Sequence, residues 1–252
     1  MRAGELDPLF DFTGKVVLVT GGSRGLGLAM VRGFAARGAD VVIASRKIEN
    51  CEAAAREVEA LGRRALPFAC HAGRWAELDA LAEAAFAAFG KVDVLINNAG
   101  MSPVSPNSVQ TPEDILDKVL ALNFKGPFRL SAIAGARMAA GEGGSIINIS
   151  SIGSIRPRPE YAPYAGAKAA LNALTVAHAI EFAPKVRVNA ILPGSFRTDI
   201  AKHWPADKEA KTDAVAGRFG EAEEIVTTAL YLASPASGFT TGATIRVDGG
   251  RP

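Results

Sequence analysis

Along this chain, short runs of apolar and β-branched positions alternate with longer stretches whose apolar residues recur every three or four positions. The first pattern reads as buried strand, the second as helix with one face turned inward. Residues 16–20 read as a strand, 26–37 as a helix stopped by Gly38, and 40–44 as a second strand. A helix over 49–61 ends at Gly62, a strand covers 65–69, a helix over 75–89 ends at Gly90, and a strand covers 92–96. The spacing then predicts one long helix, 112–122 continuing through 129–140. Strands at 145–149, 186–191 and 243–247 follow, with helices at 163–182 and 222–232. Regular βα alternation predicts an α/β fold, a doubly wound parallel sheet with helices on both faces. No linker, low-complexity run or short repeat interrupts it, so residues 1–252 are expected to form a single domain. The stretch 195–217, with Pro205 and many charges, fits neither pattern. It reads either as a lid over a ligand site or as a solvated excursion holding a short helix.

Composition narrows the function classes. The formal net charge is +2, with no basic run, so neither nucleic acid nor an anionic membrane is expected as a partner. The two cysteines, Cys51 and Cys70, have neither redox nor metal spacing, and no metal site is expected. They read as reduced thiols, which with the polar Glu5, Asp7 and Asp11 near the start points to a cytoplasmic protein without a signal peptide. No apolar run is long enough to span a bilayer.

The first βα turn reads Thr20-Gly21-Gly22-Ser23-Arg24-Gly25-Leu26-Gly27. Glycine there lets the backbone turn tightly against a pyrophosphate, which the free amides and positive end of the next helix attract. Gly21, Ser23, Arg24 and Leu26 are therefore candidate cofactor contacts. An acidic residue at the end of the second strand would mark NAD. Here the strand ends Ala44-Ser45-Arg46, and a guanidinium suits a 2′-phosphate. Ser45, Arg46 and Arg24 thus favour NADP(H) over NAD(H).

Four further segments add to this: Asn97-Asn98-Ala99-Gly100, Asn123, Ser150-Ser151 with Tyr164-Ala165-Gly166-Ala167-Lys168, and Pro193-Gly194 with Thr198. In this order, from Thr13 to Gly250, they resemble the short-chain dehydrogenase/reductase family in its compact, Rossmann-like, single-domain branch. The resemblance implies an oxidoreductase moving a hydride between nicotinamide and a carbonyl or secondary alcohol. It also implies catalytic roles for Asn123, Ser151, Tyr164 and Lys168. Its spacing selects Ser151 over Ser150 for polarising the substrate oxygen, and Asn123 would hold a water linking Lys168 to solvent. It places Asn97, Ala99 and Gly100 on the adenosine side, and Pro193, Gly194, Phe196 and Thr198 around the nicotinamide. Lys168 would also bind the nicotinamide ribose. His71 stands where many members have an adenine-contacting aspartate, and is expected at the adenine edge. The residues agree in their own terms. Tyr164 and Lys168 are four apart on one helix face, so an ammonium would stabilise the phenolate and lower its pKa. Tyr161 has Ala165 in that place and reads as pocket wall or packing.

The substrate is left open. Arg156 and Arg158 either attract an anionic substrate or are simply solvated. His178 reads as helix packing, and His203 falls in the irregular stretch. One alternative is 3-oxoacyl reduction on an acyl carrier protein, for which Arg129 and Lys185 lie at the resemblance's basic contacts. Met101-Ser102-Pro103-Val104 departs from that subgroup. Another is an NAD(H)-dependent sugar or polyol dehydrogenase. A different class altogether is a non-catalytic dinucleotide-binding sensor. By resemblance, a homotetramer built on the long helices is expected, with a small-molecule carbonyl or alcohol as partner.

Overall fold

Val16–Thr20 (β1) is buried at every position, as a strand flanked on both faces must be. A computed structural model describes residues 7–198 and 212–250. Val17 and Val19 point into a core layer shared with Met30, Val31 and Phe34 of the helix Gly25–Ala35 (α1). Val16 and Leu18 point the other way, toward Leu78 and Leu81 of Trp75–Phe89 (α3). The strands Asp40–Ser45 (β2) and Gly144–Ile149 (β5) divide their side chains in the same fashion. Full burial of each large apolar side chain stabilises the fold by ~1.5–3 kcal/mol.

The remaining strands of this sheet are Ala65–Ala69 (β3), Val94–Asn97 (β4), Val186–Pro193 (β6) and Thr244–Val247 (β9). All seven run parallel in the order β3-β2-β1-β4-β5-β6-β9. The helix Ile48–Ala60 (α2) contributes to the α1 layer, as does Val226–Ala233 (α7). The other layer holds α3 with Gly126–Ala140 (α5) and Ala162–Glu181 (α6). A small parallel pair, Phe196–Arg197 (β7) with Gly220–Glu221 (β8), brackets the stretch that sequence left irregular. Residues 199–211 of that stretch, with His203 and Pro205, lie outside the described residues.

The long helix expected over 112–140 runs unbroken from Glu113 to Ala140, but one turn within it is widened. Glu113–Leu120 (α4) passes into a π-helical turn, Ala121–Lys125, before α5 begins. A widened turn adds a residue per repeat and so turns one side chain inward, and such turns cluster at functional sites. The inward side chain here is Asn123, fully buried. Gly126 follows because the helix start lies against the Ala72 backbone, too close for any Cβ. The apolar period is blind to this one-residue change of pitch, which tertiary contact imposes.

Candidate active site

β1 and β4 are neighbours at the point where the strand order reverses, and a crevice opens there beyond their carboxyl ends. Two side chains fasten its floor. Thr20 Oγ1 accepts from the Asn98 and Ala99 amides at 3.0 and 3.1 Å. Asn98 Nδ2 donates back to the Thr20 and Gly21 carbonyls at 3.0 and 3.1 Å. The glycine turn and the Asn-Asn-Ala-Gly stretch are therefore one rigid unit. Gly21 and Gly25 have φ of +65° and +53°, which side chains with a Cβ rarely adopt. Among the described residues no side chain caps the first amides of α1, which leaves them to an anion. Ser23 Oγ donates to Ser45 Oγ at 2.8 Å, joining the turn to the end of β2. Arg24 and Arg46 are exposed, and among the described residues neither makes an ion pair.

Across from the turn, a Cβ on Gly25 would stand 3.4 Å from Thr198. Pro193 ends β6, the Gly194 amide donates to Val247 at 2.9 Å, and Phe196 is buried. The segment assigned to the nicotinamide side thus faces the turn where Leu26 lies partly buried. His71 Nδ1 accepts from the Gly73 amide at 3.2 Å, so its ring is oriented by its own loop. Asn97 does not present its amide to the adenosine side. Its Nδ2 donates to Ser131 Oγ at 2.8 Å and Asn148 Oδ1 at 2.9 Å, inside the core. Asn148 in turn donates to Thr175, tying the sheet to α6. A strand residue one step earlier points to the opposite face from its neighbour, so Asn98 reaches the turn while Asn97 faces inward.

The other end of the crevice lies where β5 meets α6. Ser150 Oγ donates to the Lys168 carbonyl at 3.2 Å and is a strand-end anchor. Ser151 caps the short helix Ile152–Ser154, its Oγ accepting the Gly153 amide at 3.0 Å. That bond occupies a lone pair and leaves the hydroxyl proton to donate elsewhere. Lys168 Nζ donates to the Ile149 carbonyl at 2.7 Å and lies 5.9 Å from the Tyr164 ring centre. Asn123 Nδ2 donates to Met101 and Val119 carbonyls at 2.9 and 3.0 Å, and its Oδ1 accepts from the Met101 amide at 3.3 Å. A Cβ on Gly100 would stand 2.8 Å from Asn123 Oδ1 and 3.6 Å from Lys168 Nζ, so glycine lets these two groups approach. Tyr161 meets Tyr164 edge to face at 6.2 Å and forms a wall of the site.

Burial pushes the Lys168 ammonium down to about 7, so it holds or releases a proton near neutrality. The Tyr164 phenol, expected to be lowered by that ammonium, is instead pushed up, because burial outweighs the opposing hydrogen bond with Ser151. Spacing on a helix face brings the two residues together but says nothing of the desolvation that both undergo.

A family model described as enoyl-(acyl carrier protein) reductase matches residues 21–251. An uncharacterized oxidoreductase of Mycobacterium tuberculosis is 39% identical over 248 residues, covering 96% of this chain and 94% of that protein. The chain belongs to the short-chain dehydrogenase/reductase family. Human dehydrogenase/reductase SDR family member 4 is 34% identical over 98% of this chain and 89% of its own length. A short-chain type dehydrogenase/reductase of Mycobacterium marinum superposes with a TM-score of 0.91 at 33% identity, covering 96% of this chain and 97% of that one.

Members of the family bind a nicotinamide dinucleotide, and the crevice fits one. It offers open amides at the start of α1, two guanidinium groups with no ion pair among the described residues, and a backbone turn held without side chains in the way. Arg129 grips Asp79 with two bonds of 2.7 and 2.8 Å over the Trp75 ring, and Lys185 Nζ donates to Gly141 at 3.0 Å. Both cations are engaged within the chain. Arg158 pairs with Asp213 at 3.5 Å, while Arg156 is exposed. His178 is buried between Phe128 and Phe182, as helix packing requires. Sequence reasoning gave no role to Thr20, Asn98 or Gly153. The doubled asparagine and the threonine before the glycine turn were the available signals.

Proposed function

We propose that this oxidoreductase uses NADP(H) and acts on a carbonyl or secondary alcohol with Tyr164 as its general acid/base. The observation that carries the reading is the meeting of Asn123, Ser151, Tyr164 and Lys168 at one end of the crevice, where Ser151 Oγ accepts an amide and keeps its proton for donation. In the reductive direction a carbonyl oxygen sits between the Ser151 and Tyr164 hydroxyls. Both donate to it as negative charge grows there, and Tyr164 gives up its proton. The nicotinamide, when bound, supplies the hydride. Lys168, near 7 and beside Asn123, refills the phenol through a water held there. A ribose diol or a phosphate added nearby favours the charged lysine and draws the phenol back down.

Arg24, Arg46 and the Ser23–Ser45 hydroxyl pair support NADP(H), since together they offer charge and donors to a 2′-phosphate. The substrate is read as a small ketone or related alcohol. Relatives include a 3beta-hydroxysteroid dehydrogenase of Eggerthella lenta, 38% identical, and 3-oxoacyl-[acyl-carrier-protein] reductase FabG of Thermotoga maritima, 34% identical. The engaged Arg129 and Lys185 weigh against a carrier-bound substrate. Exposed Phe128, Val176 and Ile180 on α5 and α6 support assembly through those helices into a homotetramer.

The test is a titration with NADPH and with NADH followed by nicotinamide fluorescence, then a reductase screen over ketones and acyl thioesters. Preference for NADPH and turnover of a ketone are expected. Preference for NADH would overturn the cofactor reading. Tight NADPH binding with no turnover across the panel would point to a sensor.

A further inference from the structure

Tyr164, Lys168 and Asn172 follow at four-residue steps along α6, so all three lie on one face of the helix. The first two belong to the proposed chemistry and the third does not. Asn172 Nδ2 donates to Ser154 Oγ at 2.8 Å. Ser154 Oγ donates to the Ser151 carbonyl at 2.6 Å, and the Ser154 amide donates to that same carbonyl at 3.0 Å. The direction of this chain is fixed. A carbonyl can only accept, so Ser154 spends its one proton on Ser151 and takes the Asn172 N–H on a lone pair.

The arrangement has a cost. Asn172 Oδ1 is buried with no hydrogen-bond partner among the described residues. Turning the amide over would satisfy nothing, because two acceptors would then face each other. Packing alone would avoid an orphaned acceptor by placing an apolar side chain here. What the amide supplies is position: it fastens the loop carrying Ser151 to the helix carrying Tyr164 and Lys168. Gly153, between Ser151 and Ser154, completes the fit, since its Cβ would stand 3.3 Å from Ser151 Oγ and 3.2 Å from the Tyr161 ring.

We propose that Ser154 and Asn172 are positioning residues, which set the Ser151 hydroxyl against the Tyr164 phenol. This rests on the reading of Ser151 and Tyr164 given above. Neither residue touches substrate; both act through the Ser151 backbone.

The chain has three tyrosines, so Cζ-labelled tyrosine gives three carbon resonances that Tyr→Phe variants assign. The Tyr164 resonance reports the setting of its phenol against the Ser151 hydroxyl, both of which flank Gly153, without any substrate. Ser151→Ala is expected to shift it. Ser154→Ala and Asn172→Leu are expected to shift it in the same direction. Ser154→Thr, which keeps the hydroxyl, restores it, and Ser151→Ala with Ser154→Ala shifts no further than Ser151→Ala alone. Tyr231, in α7, stays in place and reports an intact fold; should Ser154→Ala disturb it, the comparison is read from Asn172→Leu. A Tyr164 resonance unmoved by Ser154→Ala and Asn172→Leu, yet moved by Ser151→Ala, overturns the positioning role alone. A resonance unmoved even by Ser151→Ala overturns the underlying Ser151–Tyr164 pairing and the positioning role with it.

Discussion

The two ends of the crevice are built on opposite terms. Where β5 meets α6, the polar groups are spent on the backbone. Lys168 holds a carbonyl, Asn123 holds two, and Ser151 Oγ holds an amide. Where β1 meets β2, Arg24 and Arg46 stand in solvent with no ion pair among the described residues. Groups proposed to move protons are thus fixed before any ligand arrives, and pay for it in desolvation. Groups proposed to recognise the cofactor cost the fold almost nothing. Substitution at the buried end should change turnover and stability together, while substitution at the exposed end should change affinity alone.

The largest effect is expected from Tyr164→Phe. Removing the phenol proton should lower kcat by about 10²–10⁴-fold, the range for a positioned general acid, with NADPH affinity unchanged. Stopped-flow reduction of the best ketone found by the screen gives kcat, and nicotinamide fluorescence gives binding. Retained turnover would remove Tyr164 from the mechanism and leave the buried end without its acid.

Lys168 separates the two ends through pH. Burial puts it at about 7 in the folded protein, against an ordinary lysine value when unfolded. Between these values the unfolded chain binds the extra proton, so stability rises with pH across the window from about 7 upward. One proton gives a slope of up to about 1.4 kcal/mol per pH unit. Urea melts at pH 7 and pH 9 without added nucleotide should show this rise, and Lys168→Met should flatten it. Parallel pH profiles for the two proteins would mean that Lys168 is not desolvated as described.

At the exposed end, Arg46→Ala should weaken NADPH binding by roughly tenfold to a hundredfold, the loss of one charge-assisted contact, and leave NADH binding and the melting temperature unchanged. Equal losses for both cofactors would mean that Arg46 does not read the 2′-phosphate.

How much of this was legible follows the same division. Period and turn signals located every strand of the seven-stranded sheet to within a few residues, because β1 or β5 needs only a run of apolar positions to be buried on both faces. The residues now gathered at the buried end were named from the family resemblance that the motifs carry, with helix spacing alone pairing Tyr164 and Lys168. What spacing could not carry was anything set by tertiary contact. The π-turn that turns Asn123 inward arises where Gly126 meets the Ala72 backbone, fifty-odd positions away in the chain. The inward amide of Asn97 depends on Ser131 and Asn148, from two other elements. The raised phenol of Tyr164 depends on burial that no helical face reveals.

The smallest effect is expected where sequence placed a contact for an acyl carrier. Arg129 is a lone basic position in sequence, but in the fold its guanidinium lies bidentate on Asp79 and over Trp75, and it holds that carboxyl below its usual range. An arginine already committed to a carboxylate in a two-bond fork has little left to offer an acidic partner. Arg129→Ala should therefore leave the ratio of KM for a 3-oxoacyl thioester on an acyl carrier protein to KM for the same thioester on a small thiol as it is in the unsubstituted protein. Steady-state kinetics on the two substrates makes the comparison. A selective rise for the carrier-bound form would show that Arg129 leaves Asp79 to meet a partner, and the surface of α5 would then join Arg24 and Arg46 as a place where exposed charge waits for a ligand.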